Sequence, residues 1–397
     1  MNSTLYSLSL TSIHVSSPYF LIRHSMIMKR CEFRNGFETI LKTDSRSFLD
    51  DCRFRRLLNR AVLVENDVIN SLFNTRQEFT ISTADVVFRN CVFSDCQSSK
   101  RGGAVCVSQN TICASFRECG FFNCYSSLSR SYSAGGLAVY SSFSVIVTKS
   151  CFNKCSDLND PPAYQIAPHG GGVKETTLTF NSESFNGDRT KTSTFGSMSG
   201  GLSYFLFSNN NITHTVSNNE RMGGIVFVKT TETTEIGSYC SVANCEGKGF
   251  VSFFVMDSKT RKLSSFNFIN NTITKDFWIA HESSSTRPLF DGCVFLFNTN
   301  CITSNSGGIP IFLNCYFSGT YISSSHKGSL TNPLFSANNN NQIRIEFYST
   351  YYCWARGSPI PTPSQKMIIT MKFINDSSVR LVLLNCISFM FLVLTLI

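Results

Sequence analysis

The chain has 397 residues, of which 42% are hydrophobic and 15% are charged, and its formal net charge is +9. This composition excludes an intrinsically disordered chain, because so many apolar and so few charged residues can form a large core. A chain of this length would normally divide into two or three domains, whereas a repeat solenoid need not, since it grows in one dimension.

Residues 1–24 are assigned to an N-terminal segment that precedes the repeats. Leu5 to Ile22 is mildly apolar, but polar residues and Pro interrupt it and no basic region comes before it. A signal peptide is therefore not evident. The following stretch, Arg23 to Arg60, is rich in Arg with Glu and Asp interspersed. This mixture favours a solvated outer face over a nucleic-acid site, so no nucleic-acid partner is expected.

A repeated cysteine–phenylalanine spacing dominates residues 25–350. Six of the 17 cysteines have Phe two residues later, against about one or two expected for 36 Phe placed at random. The pairs are Cys31/Phe33, Cys52/Phe54, Cys91/Phe93, Cys119/Phe121, Cys293/Phe295 and Cys315/Phe317. The full unit is Phe-x-x-(Cys/Asn)-x-(Phe/Ile)-x-x-(Cys/Asn), and it recurs every roughly 20–35 residues, which is the length of one supersecondary repeat.

The unit is aligned on its central position, and a second marker accompanies it. We assign the central position to Cys31, Cys52, Cys91, Cys119, Glu183, Asn210, Asn271, Cys293 and Cys315, with Cys151 as a one-residue variant. The second marker is Gly-Gly followed by aliphatic residues, at 102–105, 135–139, 171–173, 200–202, 223–226 and 307–309. We expect Gly-Gly to mark a corner at which the backbone turns before the next strand.

The alternation of apolar and polar residues within each unit, as in Val87 to Phe93, predicts short strands. Gly, Asn, Ser and Asp clusters between the strands predict turns. Many short strands with one coil per repeat predict an all-β fold, a parallel β-helix solenoid. The six Phe of the Cys/Phe pairs should then stack along the interior, with Asn side chains bonded to one another at a corner and Cys replacing Asn as a small, buriable residue.

Cysteines at equivalent corners of adjacent coils would lie within the Cα distance of a disulfide. Either some are oxidised, or all are free thiols stacked in the core, and the odd total leaves at least one unpaired or intermolecular. The spacing Cys-x4-Cys at 91/96, 119/124 and 240/245 differs from the Cys-x2-Cys of compact zinc modules. We therefore expect neither a metal nor a cofactor.

Two sequence matches connect the repeat to a known family. Gly-Gly-Ala-Val at 102–105 and Phe-Ile-Asn-Asn at 268–271 match the paired repeat signatures of polymorphic outer-membrane proteins (Pmp), and Phe88-Arg-Asn-Cys91 matches with Cys in the place of Asn. Over residues 25–350 the chain resembles this family. The resemblance implies a right-handed parallel β-helix that is surface-exposed and adhesive. The high cysteine content departs from the family pattern.

The C-terminal part divides into two predicted segments. Residues 351–378 contain Gly357-Ser-Pro-Ile-Pro-Thr-Pro-Ser364, which is typical of a stiff stalk. Within 379–397, the 17 residues from Leu381 to Ile397 are strongly apolar and reach the lower length limit of a membrane-spanning helix. A single-pass anchor at the cell surface is the favoured interpretation. A GPI signal and a buried strand or capping helix are the alternatives.

These features favour a non-enzymatic surface protein that acts in adhesion or recognition through loops on a rigid rod. Glycans or proteins of a host or neighbouring cell surface are the expected partners. The candidate loops are Ser126–Ser133, Leu158–His169 and Gly187–Ser199, which interrupt the repeat. A structural scaffold without a specific ligand is one alternative.

A polysaccharide-active β-helix enzyme, similar to pectate lyases or polygalacturonases, is the other alternative. Glycoside hydrolysis needs two carboxylates that face one cleft. Adjacent acids occur only at Asp50-Asp51, and neither His169-Gly170 nor Arg344-Ile345-Glu346 has the companion motifs of polygalacturonases. No catalytic, cofactor-binding or metal-binding residue is therefore assigned.

Overall fold

The computed structural model describes residues 3–372 with gaps. The longer gaps are 12–19, 65–84, 128–132, 167–172, 188–196, 218–223, 229–234, 255–259, 274–278, 282–286, 303–309, 323–328, 336–343, 348–352 and 354–368, and the others span one to three residues. The predicted anchor at 379–397 and the Pro-rich stretch at 357–364 lie outside the described residues. In the part that is described, the chain forms strands and turns and no helix.

Three long parallel sheets wind the chain into a solenoid. Sheets A and B contain 13 strands each and sheet C contains 10, and successive strands of the chain enter A, B and C in turn. Each strand pairs in parallel with the equivalent strand of the next coil. At about 4.8 Å per strand, 13 coils make a rod roughly 58 Å long. The predicted all-β parallel solenoid is thereby confirmed.

The strands are numbered in chain order. Sheet A contains β1 (Ser3–Tyr6), β4 (Met26–Lys29), β7 (Ser47–Asp50), β10 (Asp85–Arg89), β14 (Thr111–Arg117), β18 (Ser142–Thr148), β22 (Glu175–Thr179), β25 (Tyr204–Ser208), β28 (Glu235–Ser238), β32 (Thr260–Ser264), β36 (Arg287–Asp291), β39 (Ile311–Leu313) and β42 (Ser329–Thr331). Sheet B contains β2 (Ser9–Thr11), β5 (Glu32–Gly36), β8 (Arg53–Leu57), β11 (Val92–Ser94), β15 (Gly120–Phe122), β19 (Cys151–Asn153), β23 (Ser182–Ser184), β26 (Asn211–Thr213), β29 (Ser241–Ala243), β33 (Asn267–Ile269), β37 (Val294–Leu296), β40 (Tyr316–Ser318) and β43 (Leu334–Phe335). The sheets thus begin at Ser3, upstream of residue 25.

Sheet C and the minor sheets complete the architecture. Sheet C contains β3 (Phe20–Ile22), β6 (Leu41–Thr43), β9 (Val62–Val64), β13 (Val105–Val107), β17 (Leu137–Val139), β21 (Tyr164–Ile166), β24 (Ser197–Gly200), β27 (Ile225–Val228), β31 (Val251–Phe254) and β35 (Ile279–His281). Short parallel sheets are formed by β12 (Gln97–Ser98), β16 (Tyr125–Ser126) and β20 (Ser156–Asp157), by β30 (Glu246–Gly247) and β34 (Thr272–Ile273), and by β38 (Cys301–Ile302) and β41 (Tyr321–Ile322). The antiparallel pair is β44 (Arg344–Phe347) with β45 (Ile369–Lys372).

The second residue of the sheet B strands points into the core wherever its side chain is described, and Phe holds this place in most of those coils. In the first half of the rod, neighbouring rings stack with centroids 5.2, 5.1, 5.0 and 4.7 Å apart along Phe33, Phe54, Phe93, Phe121 and Phe152. In the second half, Phe268, Phe295 and Phe317 stack at 4.9 Å. These spacings equal the strand separation, because parallel pairing places equivalent residues directly above one another. The predicted Phe column is confirmed, and it consists of two runs.

The two corners of sheet B share one backbone conformation. At corner 1, between sheets A and B, and at corner 2, after sheet B, a residue in the left-handed conformation precedes a buried residue. Asn90 (φ 51°) before Cys91 and Asp95 (φ 54°) before Cys96 show it in one coil. Asn and Asp tolerate this conformation, as the sequence predicts, but Lys154 and the bulky Phe185 also adopt it. The repeated fold therefore imposes the conformation on residues that do not prefer it.

The buried corner residues form two columns along the rod. The corner-1 column is Cys31, Cys52, Cys91, Cys119, Ser150, Asn181, Asn210, Cys240, Phe266, Cys293 and Cys315. The corner-2 column includes Cys96, Cys124, Cys155, Asn186, Thr215, Cys245, Asn271 and Asn298. Asn181 donates from Nδ2 to the Val147 carbonyl of the preceding coil at 2.9 Å and accepts from the Ser150 amide at 2.9 Å. The Asn ladder therefore bonds mainly side chain to backbone, not side chain to side chain as predicted.

Cysteine replaces asparagine because its thiol reaches the equivalent carbonyl. Cys119 Sγ donates at 3.6 Å to the carbonyl of Phe88, which lies three residues before the corner residue of the preceding coil. Asn181 Nδ2 donates to the equivalent carbonyl in its own preceding coil, that of Val147. Burial raises the pKa of the Cys91, Cys124 and Cys155 thiols, so these thiols stay protonated and unreactive at neutral pH. The described column cysteines are free.

We expect Asn181→Ala to lower the free energy of unfolding by about 2–4 kcal/mol, because it leaves the Ser150 amide and the Val147 carbonyl buried without partners. Asn181→Cys should cost less, since a thiol can still donate to the Val147 carbonyl. Urea unfolding followed by circular dichroism measures both. Equal losses for the two variants would contradict the equivalence of Cys and Asn at the corners.

The register corrects three alignments made from the sequence. Glu183 lies opposite Phe152 in the Phe column, not at a corner. Asn271 belongs to corner 2, one strand later than assigned, as its bond to the Cys245 amide shows. Cys151 is paired with Gly120 and points outward from sheet B. A shift of one residue moves a side chain to the other face of a strand, and repeats of unequal length hide such shifts.

Two described Gly-Gly pairs, 102–103 and 135–136, come just before a sheet C strand, β13 or β17. A Cβ on Gly103 would overlap the Gly135 carbonyl oxygen, and a Cβ on Gly136 would lie 3.2 Å from Phe152 Cδ1. Only glycine allows the backbone to approach its neighbour and the Phe column so closely. Gly200, in contrast, pairs with Val228 near the end of a sheet C strand and breaks this pattern.

Candidate functional site

A groove of about 440 Å³ crosses four successive coils on the outer face of sheet B. Its described lining residues are Arg55, Val92, Ser94, Asp95, Phe122, Asn123, Asn153 and Lys154. The first and third residues of these strands point outward because the second residue points into the core. That alternation places Val92, Ser94, Phe122 and Asn153 on the groove floor.

Corner 2 supplies the rim of the groove. Asp95, Asn123 and Lys154 are equivalent left-handed residues of three successive coils, with φ of 54°, 51° and 54°. Asn123 Nδ2 donates to Asp95 Oδ1 at 2.7 Å across adjacent coils. This bond holds the amide and the carboxylate in fixed positions along the rim.

The groove carries more positive than negative charge in its described lining, with Arg55 and Lys154 against Asp95. Arg55 Nε is buried without a hydrogen bond, and it lies 3.9 Å from Glu32 Oε1, which Arg34 already binds at 2.8 Å. The side-chain amides of Asn123 and Asn153 and the hydroxyl of Ser94 add polar groups. Such a lining can bind a carboxylate or sulfate through charge-assisted hydrogen bonds.

Aromatic side chains continue the rim beyond Lys154. In the next two coils, the rings of Phe185 and His214 stack with centroids 4.6 Å apart, and Phe185 is 47% exposed. Burial lowers the pKa of His214, so its ring is neutral at neutral pH. This rim, from Asp95 to His214, presents first polar and then aromatic groups at the spacing of the coils.

The groove lies on the coil bodies, whereas residues 128–132, 159–161, 167–169 and 188–196 of the loops predicted from the sequence lie outside the described residues. Part of each predicted loop is regular structure: Tyr164–Ile166 is β21, and Ser197–Gly200 is β24. Ser126 and Ser133, the ends of the first loop, are hydrogen-bonded in the interior at 2.6 Å. Outward-facing repeat positions look alike in sequence, so only their stacking identifies the groove.

A buried carboxyl is the other unusual group of the described core. Glu183 takes the place of a ring in the Phe column and is 1% exposed, with Ser197 Oγ donating to its Oε2. Burial raises its pKa to about 7, and the Ser197 and Tyr164 hydroxyls oppose that rise in part. Its enclosure keeps it from any ligand, so Glu183 acts on stability and not on binding.

The remaining sequence predictions about sites have the following outcomes. Asp50 lies on sheet A, 3.9 Å from Arg89 Nε, and is not among the described groove residues. Over the described ranges, no three His, Cys, Asp or Glu side chains are grouped so that they could hold a metal ion. Nor does that part of the chain contain a helix that is long and apolar enough to cross a membrane.

Comparison with family models, curated proteins and solved structures gives no significant match to this chain.

Proposed function

We propose that this chain is a surface-displayed, right-handed β-helix of the Pmp type, anchored through residues 379–397, that acts in recognition or adhesion. Its binding site is the groove on the outer face of sheet B, and its ligand is an acidic glycan of a neighbouring or host cell surface. The observation that carries the proposal is the groove lining, which combines Arg55, Lys154 and two side-chain amides beside an exposed aromatic stack.

The rod geometry supports a glycan as the ligand. Groups on the rim repeat at about the strand spacing, so an extended polymer that lies along the rod can contact several coils at once. Charge-assisted bonds from Arg55 and Lys154 fit carboxylate or sulfate groups on such a polymer. The described lining offers one carboxylate, Asp95, whereas hydrolysis of a glycosidic bond needs two. We therefore favour binding over cleavage.

Binding to a panel of neutral, uronate-containing and sulfated oligosaccharides tests the proposal. We expect the acidic members to bind, and we expect Arg55→Ala with Lys154→Ala to weaken binding about tenfold or more, since each charged contact contributes about 1 kcal/mol. Arg53→Ala is the matched control, because Arg53 lies on the same strand as Arg55 but not in the described groove lining.

Two results would contradict the proposal. Absence of binding to every acidic oligosaccharide would favour a scaffold without a ligand. An equal loss in the Arg53→Ala control would show that general positive charge, and not the groove, attracts the ligand. Surface labelling of intact cells tests display separately, and a protein left unlabelled would contradict it.

A further inference from the structure

Two acceptor patterns for N-linked glycans lie in the described part of the chain. The pattern is Asn-x-Ser/Thr with x other than Pro, and it occurs there at Asn211-Ile-Thr213 and at Asn270-Asn-Thr272. The coil places the two acceptors differently. Asn211 is the first residue of β26, whereas Asn270 is the left-handed residue of corner 2 after β33, with φ of 51°.

The fold encloses the acceptor at Asn211. Its side chain is 7% exposed with the Oδ1 atom buried, and Thr213 is 1% exposed. A glycan is bulky and strongly hydrated, so it must lie at the surface. Since an oligosaccharide on the Asn211 amide has no room to leave the interior, a folded chain cannot carry one there.

The acceptor at Asn270 is open to solvent. Asn270 and Thr272 are exposed, while Asn271 between them is buried and donates from Nδ2 to the Val242 carbonyl at 3.0 Å. Asn270 Nδ2 donates to Asn244 Oδ1 of the preceding coil at 2.7 Å. The amide nitrogen has two hydrogens and a glycan replaces one of them, so the other can keep this bond.

An exposed ring lies beside this acceptor. The backbone amide of Asn270 donates to the Leu296 carbonyl at 2.8 Å, and the residue after Leu296 is Phe297, which is the equivalent left-handed residue of the following coil, with φ of 52°. Phe297 is 61% exposed. Equivalent residues of adjacent coils are about 4.8 Å apart. A sugar on Asn270 can therefore cover the ring and remove apolar surface from water.

We infer that Asn270 is an N-glycosylation site of this chain, that Asn211 is not, and that the first sugar covers the ring of Phe297. Modification in the native cell depends on the proposed surface display, because the chain meets the glycan donor on its export route. The choice between the two acceptors depends only on the coil. The site lies two coils beyond His214 and outside the described groove lining.

The reaction is a glycosyl transfer, and its donor is an oligosaccharide joined through a diphosphate to a polyisoprenoid lipid. Asn270 Nδ2 forms a bond to the anomeric carbon of the first sugar, while the bond from that carbon to the diphosphate oxygen breaks. The lipid diphosphate leaves with the electron pair, and Nδ2 releases one proton. Thr272 supplies the hydroxyl that the acceptor pattern requires.

Peptide mass spectrometry of the folded full chain from two sources tests the site. One source is the protein's own cells, and the other is a eukaryotic secretory host into which an added signal peptide directs the chain. Enzymatic removal of the glycan converts the acceptor Asn to Asp and so marks it. We expect the mark at Asn270 from both sources and at Asn211 from neither. Asn270→Gln and Thr272→Ala should each abolish it, whereas Asn244→Gln, at an exposed corner residue outside the acceptor pattern, should not.

Hydroxyl-radical footprinting tests whether the sugar covers the ring. Oxidation of Phe297 should be several-fold higher in Asn270→Gln than in the glycosylated chain, and it should be unchanged in Asn244→Gln. If Asn270→Gln does not fold, Thr272→Ala gives the same comparison, because it removes the acceptor pattern and leaves the bond between Asn270 and Asn244 in place.

The inference is wrong if the folded chain from the secretory host has a glycan at Asn211 or none at Asn270. Equal oxidation of Phe297 with and without the glycan would also overturn it. A native chain that is bare but labelled on intact cells would reject the modification and leave the display standing. A native chain that is neither modified nor labelled, while the directed chain is modified, would reject the display and leave the assignment of the acceptor standing.

Discussion

Phe121→Ala should destabilise the protein by about 3–5 kcal/mol, because it opens a ring-sized cavity in the core. Phe121 is fully buried, and its ring stacks between Phe93 at 5.0 Å and Phe152 at 4.7 Å. Each stacked pair adds about 0.5–1.5 kcal/mol to the effect of area burial. The free energy of unfolding in urea, followed by circular dichroism, measures the loss.

An exposed ring provides the control for this experiment. Phe297 lies at corner 2 with 61% of its surface exposed, so Phe297→Ala should change the free energy of unfolding by no more than about 0.5 kcal/mol. In a solenoid, each coil depends on its neighbours, so the loss at Phe121 should also lower the stability of the coils on either side. Similar effects of the two substitutions would contradict the interior Phe column.

We expect stability to fall as pH rises from about 4.5 to about 7, through Glu183. Burial raises the pKa of this carboxyl from 4.5 to about 7, so the folded chain keeps a proton that the unfolded chain releases over this range. The folded state therefore binds more protons, and the free energy of unfolding decreases with pH until it levels off above about pH 7. The difference corresponds to roughly 3 kcal/mol, from about 1.4 kcal/mol per pKa unit.

Glu183→Gln should remove this dependence, because an amide of the same shape does not ionise. At pH 8 the variant should be more stable than the native chain, and at pH 4 the two should be similar. Urea midpoints at several pH values measure the difference between the two proteins, which isolates Glu183 from other titrating groups. Tyr164 and Cys245 lie near it, but burial raises their pKa values too, so both stay protonated over this range.

The outward-facing Glu175 supplies the matched substitution, since Glu175→Gln alters a carboxyl on sheet A without touching the core. We expect it to leave the pH profile of the native protein unchanged. A native profile that is flat between pH 5 and pH 8, or one that persists in Glu183→Gln, would place the titrating group elsewhere.

Much of the coil could be predicted from the sequence because its cause is local. Phe at the middle of a short strand and Cys or Asn at the following corner repeat in the sequence itself, and parallel pairing stacks whatever repeats. The positions of Glu183, Asn271 and Cys151 could not be predicted in this way. Their repeats depart in length or composition, and register is decided by hydrogen bonds between coils that the alignment of sequence letters does not contain.

The candidate site could not be predicted from the sequence, for a related reason. The groove combines residues from four coils, and the Cys151–Cys353 disulfide joins two cysteines 202 residues apart that no repeat relates to each other. Sequence alone determined that this chain forms stacked parallel coils with a Phe interior, since that outcome follows from residues a few positions apart. Tertiary structure alone decided which outward side chains meet and where Cys353 is held, because those contacts depend on how the coils stack and not on any local pattern.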